Sequence, residues 1–225
     1  MKVGLYFGTF NPIHVGHVII ANHLVEYSDL DEVWLVVTPH NPLKKKNSLL
    51  ANHHRYELVY QALEKYSKIK PSDIEFKLSQ PSYTVNTLAY INEKYPQHEF
   101  HLIMGEDNLK SFHKWKNYET ILDNHEIYCY PRITEGKEKT IFENHPKIHK
   151  IDAPIIQISA TLIRQGIKNN KNVEPMLPKE VWKYIDEMNF IELNFTITHK
   201  ISRRVFRCIF VESFKFKWLK RKPRK

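Results

Sequence analysis

The sequence predicts a doubly wound α/β domain built on a parallel sheet. Two observations carry that expectation. Short runs of β-branched and aromatic residues alternate with stretches of helical character, joined by short loops. One strand candidate, Glu-Val-Trp-Leu-Val-Val-Thr at residues 32–38, is apolar along nearly its whole length, as expected where both faces of a sheet are covered. Sheets of this kind bind ligands at the carboxyl ends of their strands, so the strand-to-helix junctions are where chemistry belongs.

The first strand spans residues 2–7. A helix follows over residues 15–27, with Val18, Ile19, Ala21, Leu24 and Val25 on one side. The apolar strand at 32–38 leads into a polar, proline-containing loop at 39–50, a helix over 52–66 and a short strand over 74–78. Thr84 is placed to cap a helix over 84–95, and Pro96 stands just beyond its end. A strand at 99–104 ends at Gly105, short helices occupy 107–112 and 118–122, and a strand at 126–130 is stopped by Pro131. A further strand is expected at 147–151, a helix opens at 159–166, and the last helix covers 179–188. No internal repeat or low-complexity linker precedes residue 192.

The 225 residues carry a formal charge of +9, and the whole excess sits at residues 192–225. Eleven of the 34 Lys and Arg but only two of the 25 acidic residues lie there, leaving 23 of each sign in residues 1–191. The expected organisation is one folded domain over 1–191 and a basic extension over 192–225. A neutral body argues against nucleic-acid binding by the domain itself. In the extension, aromatic and basic residues alternate over 214–220, a pattern that suits stacking on bases or lying on an anionic membrane. Two cysteines, Cys129 and Cys208, are too few for a disulfide framework and fit a reducing, cytoplasmic setting. No apolar run approaches the roughly 18–20 residues of a membrane span. The first residues reach Gly4 too soon for the apolar core of a signal peptide.

The first junction reads Gly8-Thr9-Phe10-Asn11-Pro12-Ile13-His14-Val15-Gly16-His17. Gly8 lets the backbone turn sharply and Gly16 lets the helix start approach a ligand closely. A helix start offers unpaired N–H groups and partial positive charge, which suit phosphate. His14 and His17, three apart, face the same bound group. Two imidazoles there can donate to phosphoryl oxygens and stabilise charge that builds during a displacement. Neither a Walker loop nor Gly-x-Gly-x-x-Gly is present, and no Cys or carboxylate nearby completes a zinc set with the two histidines.

This Gly-x-Phe-x-Pro-x-His-x-Gly-His pattern resembles the signature of the nucleotidyltransferase superfamily, and within it the bacterial nicotinate-nucleotide adenylyltransferases. The resemblance covers about residues 1–191 and implies a Rossmann-like nucleotidyltransferase fold. A second motif strengthens it: Ile158-Ser159-Ala160-Thr161-Leu162-Ile163-Arg164 resembles the family's Ile-Ser-Ser/Ala-Thr-x-Ile-Arg segment. Read from the residues alone, Ser159 is a cap for a second helix start, Thr161 adds a hydroxyl, and Arg164 is a cation on the same helix. Taken alone it is equally an ordinary capped helix with a surface arginine.

Three further stretches bear on substrates. Residues 39–44 resemble the family's proline-rich loop, whose lysine approaches ATP phosphates; Lys44 is the candidate, with Lys45 and Lys46 adjacent, and Arg55 is a further candidate for phosphate. Pro81-Ser82-Tyr83-Thr84 resembles the segment that holds the nicotinate carboxylate. Gly105, Asp107 and Trp115 resemble the family's Gly-x-Asp-x-Leu and following Trp: the carboxylate suits ribose hydroxyls and the indole a pyridinium ring. Arg132, after Pro131, resembles the family's arginine–proline region with the order reversed.

The resemblance implies adenylyl transfer. The 5′-phosphate of nicotinic acid mononucleotide attacks the α-phosphorus of ATP in line, and pyrophosphate leaves with no covalent enzyme intermediate. The implied catalytic residues are His14, His17 and Arg164. The implied ATP site adds Gly8, Thr9, Phe10, Lys44, Asp107, Ser159 and Thr161. Asn11, Thr84, Trp115 and Arg132 are the implied nicotinate-nucleotide residues. Mg²⁺ is expected to arrive with ATP, since no carboxylate cage is evident. The alternatives are a relative acting on nicotinamide mononucleotide or phosphopantetheine, or a non-catalytic binder of nucleic acid or membrane using the extension. A homo-oligomer is compatible with the sequence.

Overall fold

The structure, a computed structural model, describes residues 1–40, 49–133, 141–142, 144–188 and 190. In chain order the elements are β1 (Lys2–Gly8), α1 (Val15–Tyr27), β2 (Glu32–Val37), α2 (Asn52–Leu63), β3 (Ile69–Ser72) and α3 (Thr84–Lys94). Then come β4 (Glu99–Gly105), α4 (Glu106–Ser111), α5 (Tyr118–Asn124), β5 (Ile127–Tyr130), β6 (Ile148–Lys150), α6 (Ala160–Lys168) and α7 (Lys179–Glu187). Single 3₁₀ turns stand at Ile74–Lys77, Phe112–Lys114 and Glu174–Met176.

The six strands form one sheet in the order β3-β2-β1-β4-β5-β6, and every neighbouring pair is parallel. The chain winds outward from β1 in one direction, crosses back, and winds outward from β4 in the other. The order therefore reverses between β1 and β4, and in open parallel sheets the ligand crevice lies outside the carboxyl ends at that point. Those ends here are Gly8 and Gly105. Both faces of the central strands are covered: residues 3–6 of β1 and 100–105 of β4 are buried without interruption. On one side Val3, Leu5, Leu102 and Ile127 pack with Leu88 and Ile91 of α3 and Ile121 and Leu122 of α5.

Residues 74–78 do not form the expected strand. Ile74, Phe76 and Leu78 alternate with polar residues, yet the segment coils into a 3₁₀ turn that buries the adjacent pair Ile74 and Glu75. The strand lies upstream, at β3, and contains Pro71. Proline is tolerated there because β3 is an edge strand, paired only with β2. Thr84 opens α3 but is not its cap; that position is Tyr83, which makes no side-chain capping bond.

The chain divides into two compact units, Met1–Tyr184 and Ile185–Lys225. The sheet belongs to the first. In the second, the described residues are 185–188 and 190, where the Phe190 N–H donates to the Ile185 carbonyl. The expected boundary at residue 192 and the basic extension lie outside the described residues. Among the described residues no helix is long and apolar enough to cross a membrane.

Candidate active site

A cleft opens at the carboxyl ends of β1 and β4 and has two lobes that share Phe7, Gly8, Thr9 and Asn108. The first lobe, about 390 Å³, is lined by His14, His17, Arg132, Ser159, Thr161 and Arg164, with Asp107. The second, about 300 Å³, is lined by Thr38, Glu75, Ser82, Thr84, Trp115 and Lys116 among others. Both lie in the unit Met1–Tyr184. Most of the residues singled out in the sequence thus meet in one cleft, although they come from five separate junctions.

The loop after β1 is held in an unusual conformation. Phe10 has a left-handed backbone at φ +43°, and the Asn11–Pro12 peptide is cis. The Phe10 ring is buried, packed edge-on to His17 at 5.0 Å and to Tyr6 at 6.0 Å. It thus supports the site from below. Asn11 is buried as well: its carboxamide oxygen accepts from the Leu50 N–H at 3.2 Å and its carbonyl from Arg164 at 2.7 Å. Expected beside the pyridine nucleotide, Asn11 lines neither lobe.

The two histidines of the signature divide their roles. His14 occupies the N-cap of α1 and is buried; burial, reinforced by the nearby Arg132 charge, pushes its pKa down to about 4. It is neutral at physiological pH and not a cationic phosphate ligand. Its backbone N–H donates to His17 Nδ1 at 3.2 Å, and the two rings stack at 3.7 Å. With Nδ1 accepting, the neutral His17 ring carries its proton on Nε2 and presents a donor. Gly16 lies on the far side: a Cβ there would sit 2.7 Å from Ile156 Cγ2 and 3.1 Å from His14 Nδ1. Gly16 lines the first lobe, and its missing side chain also gives room to the 156 segment and His14.

At the other motif, Ser159 caps α6 as expected, its hydroxyl accepting from the Leu162 N–H at 3.1 Å. Arg164, one turn on, donates to the Asn11 carbonyl and to Thr161 Oγ1 at 3.3 Å. These bonds aim the guanidinium across from the first junction, so the two motifs, 150 residues apart in sequence, form facing walls.

Arg132 lies apart from Thr84 and Trp115, which line the second lobe. Expected with the pyridine nucleotide, it lines the first lobe, where its guanidinium lies 3.8 Å from Asp107 and donates to the Ile156 carbonyl at 3.1 Å. Gly105 makes room for this pair: a Cβ there would lie 2.9 Å from Arg132 Cγ and closer still to Asp107 Oδ1. Arg55 is corrected in role. It is fully buried, and its five N–H donors go to the carbonyls of Leu50, Thr9, Thr38 and Pro39 and to Asn52 Oδ1. It ties the loops after β1 and β2 together and leaves nothing for phosphate. Lys44, with Lys45 and Lys46, lies outside the described residues.

In the second lobe, Trp115 is half-buried, edge-on to the core residue Phe112 at 5.5 Å, with its Nε1 buried and unpartnered among the described residues. Lys116 Nζ stands 4.6 Å from the Tyr83 ring centre and closes the rim. Thr38 and Glu75 are lining residues that sequence reasoning passed over, while Ser82 and His40 lie in stretches it singled out. Thr38 follows β2 directly, and that position was the available signal. Among the described residues no three His, Cys, Asp or Glu side chains converge as a metal site.

Residues 5–166 match the cytidylyltransferase-like family. The chain is 66% identical over 190 residues to a probable nicotinate-nucleotide adenylyltransferase of Flavobacterium johnsoniae, covering 84% of this chain and 98% of that protein. It is 69% identical over 189 residues to the protein of that name from Christiangramia forsetii, covering 84% and 97%. In fold it is similar to the Plasmodium falciparum nicotinic acid mononucleotide adenylyltransferase complexed with NaAD: TM-score 0.72, 21% identity, 85% of this chain and 97% of that one.

Proposed function

The chain belongs to the cytidylyltransferase-like family, among the nicotinate-nucleotide adenylyltransferases, and from that membership we propose how its cleft works. It transfers the adenylyl group of ATP to nicotinic acid mononucleotide in NAD biosynthesis. The observation that carries the mechanism is the pair of lobes meeting over Gly8, Thr9 and Asn108. Two substrates, one per lobe, bring their phosphates together at that shared floor.

In this reading the first lobe receives ATP. The α6 start, with Ser159, Thr161 and Arg164, holds the outer phosphates; Arg132 adds a second fixed cation. His17 Nε2–H donates to the α-phosphate as charge builds there, and neutral His14 fixes His17's tautomer and tilt. The second lobe receives nicotinic acid mononucleotide, its cationic ring on Trp115 and its carboxylate at the start of α3. The attacking phosphate oxygen bonds to the α-phosphorus as the bond to pyrophosphate breaks. Such transfers depend on positioning and charge stabilisation, which is what these groups supply. Mg²⁺ is expected to come with the ATP substrate, neutralising its phosphate charge, and no step is routed through it.

The test offers the purified full chain ATP with nicotinic acid mononucleotide, nicotinamide mononucleotide or phosphopantetheine, and follows pyrophosphate. Nicotinic acid mononucleotide is expected to react best. Turnover with phosphopantetheine alone would overturn the reading.

A further inference from the structure

Glu75 is the only fully buried acidic side chain among the described residues, 1% exposed, and the mechanism makes no use of it. It stands on the 3₁₀ turn and lines the second lobe. Oε1 accepts the Thr87 hydroxyl of α3 at 2.7 Å, while Oε2 is buried with no hydrogen-bond partner. Burial pushes the carboxyl up, and the Thr87 hydroxyl, with lesser pulls from nearby Thr38 and Ser82, draws it back toward ionisation, although the Ser82 hydroxyl itself donates to Gln80. Those three come from three walls of the lobe: α3, the end of β2, and the loop after Pro81. The backbone is laced as well. Gln80 Nε2 donates to the Glu75 carbonyl at 3.4 Å, and Gln80 Oε1 accepts from the Ser82 hydroxyl at 3.0 Å. The same short segment carries Tyr83 and Thr84 to the lobe.

A carboxyl with an unfilled buried oxygen is a poor way to fill a core, because an apolar side chain of similar size leaves no orphan acceptor. Its presence at a lobe wall therefore points to the lobe. We propose that Glu75 is a positioning residue for the pyridine nucleotide: by holding Thr87 and facing Thr38 and Ser82, it sets Tyr83 and Thr84 where they meet the substrate. The inference rests on the reading of the second lobe given under Proposed function, and it adds a residue that acts through its neighbours.

The test compares Glu75→Gln and Thr87→Val with the unaltered full chain. Glu75→Gln keeps the shape and one acceptor oxygen but removes the charge and turns the other oxygen into a donor. Thr87→Val removes the hydroxyl alone. Each is expected to raise KM for nicotinic acid mononucleotide about tenfold, the scale of one hydrogen bond to a charged group, with KM for ATP within about twofold. The double variant is expected to be little worse than either single one, since both break the same contact. A purely structural role would move both KM values together with the melting temperature. That pattern, or an unmoved KM for nicotinic acid mononucleotide, overturns the proposal. No turnover by the unaltered chain with ATP and nicotinic acid mononucleotide would overturn the underlying reading and this proposal with it. Normal turnover with both variants unmoved overturns the proposal alone.

Discussion

At the scale of single residues, the chemistry comes down to how two neighbouring imidazoles are made different. His14 is buried and held neutral, and its backbone bond fixes the His17 tautomer. In the proposed mechanism, removing His17 removes a donor placed in advance for the transition state. His17→Ala is expected to lower kcat by about a hundred- to a thousandfold, the loss seen when one preorganised donor is deleted. A steady-state assay beside a thermal melt checks this; near-normal kcat, or a collapse of the melting temperature, contradicts it. The signature made His14 and His17 legible as a pair, because spacing on a helix is visible in sequence. The depressed pKa of His14 was not, because it depends on burial and on Arg132, which is distant in the chain. Arg55 shows the same limit. An arginine at a helix start beside a basic loop reads as a phosphate ligand, yet four carbonyls and an amide oxygen from three segments surround it.

At the scale of elements, α6 is a short helix tied down by two bonds. Nine residues are too few to hold a helix in water unaided. The Ser159 cap and the Arg164 anchor to Asn11 fix its start against the first junction. Ser159→Ala is expected to cost about 1 kcal/mol, a typical cap loss, and to raise KM for ATP more than KM for nicotinic acid mononucleotide. Denaturant unfolding and the two KM values check it; equal effects on both would detach α6 from the first lobe. This cap was legible because serine before a helical run is a local signal. Most elements were legible for the same reason, with ends within a few residues. The exception, residues 74–78, failed because period-two alternation was stronger locally than the tertiary demand for a buried carboxyl. That error also hid Glu75, since a polar residue on a strand is normally read as facing solvent.

At the scale of the whole molecule, the parallel sheet keeps its two ends chemically apart. The carboxyl ends carry the cleft, while the amino ends gather His101, Glu99, Glu126 and His149, with Tyr128 donating to Asp29. His101 and His125 are buried and, like His14, have pKa values lowered chiefly by that burial. For each, the unfolded chain takes up a proton more readily than the folded one. Their contribution to stability is therefore whole above the ordinary imidazole value of 6.5 and is lost as pH falls below it, for His14 through about 4. Melting temperatures taken from pH 7.5 to 4.5 are expected to fall steadily across that window. A flat profile would show that these histidines are already protonated or exposed. The winding order was legible from alternating strands and helices, and with it the end of the sheet that holds the site. The neutral charge count of residues 1–191 concealed how unevenly the cleft is charged. The two lobes, finally, share Phe7, Gly8, Thr9 and Asn108. Two weakly held fragments, one chosen for each lobe, would meet at those residues, where a short tether can join them. The tether turns the second capture into an intramolecular event at an effective concentration in the millimolar range. The residues shared by the two lobes are thus also where an inhibitor can be grown.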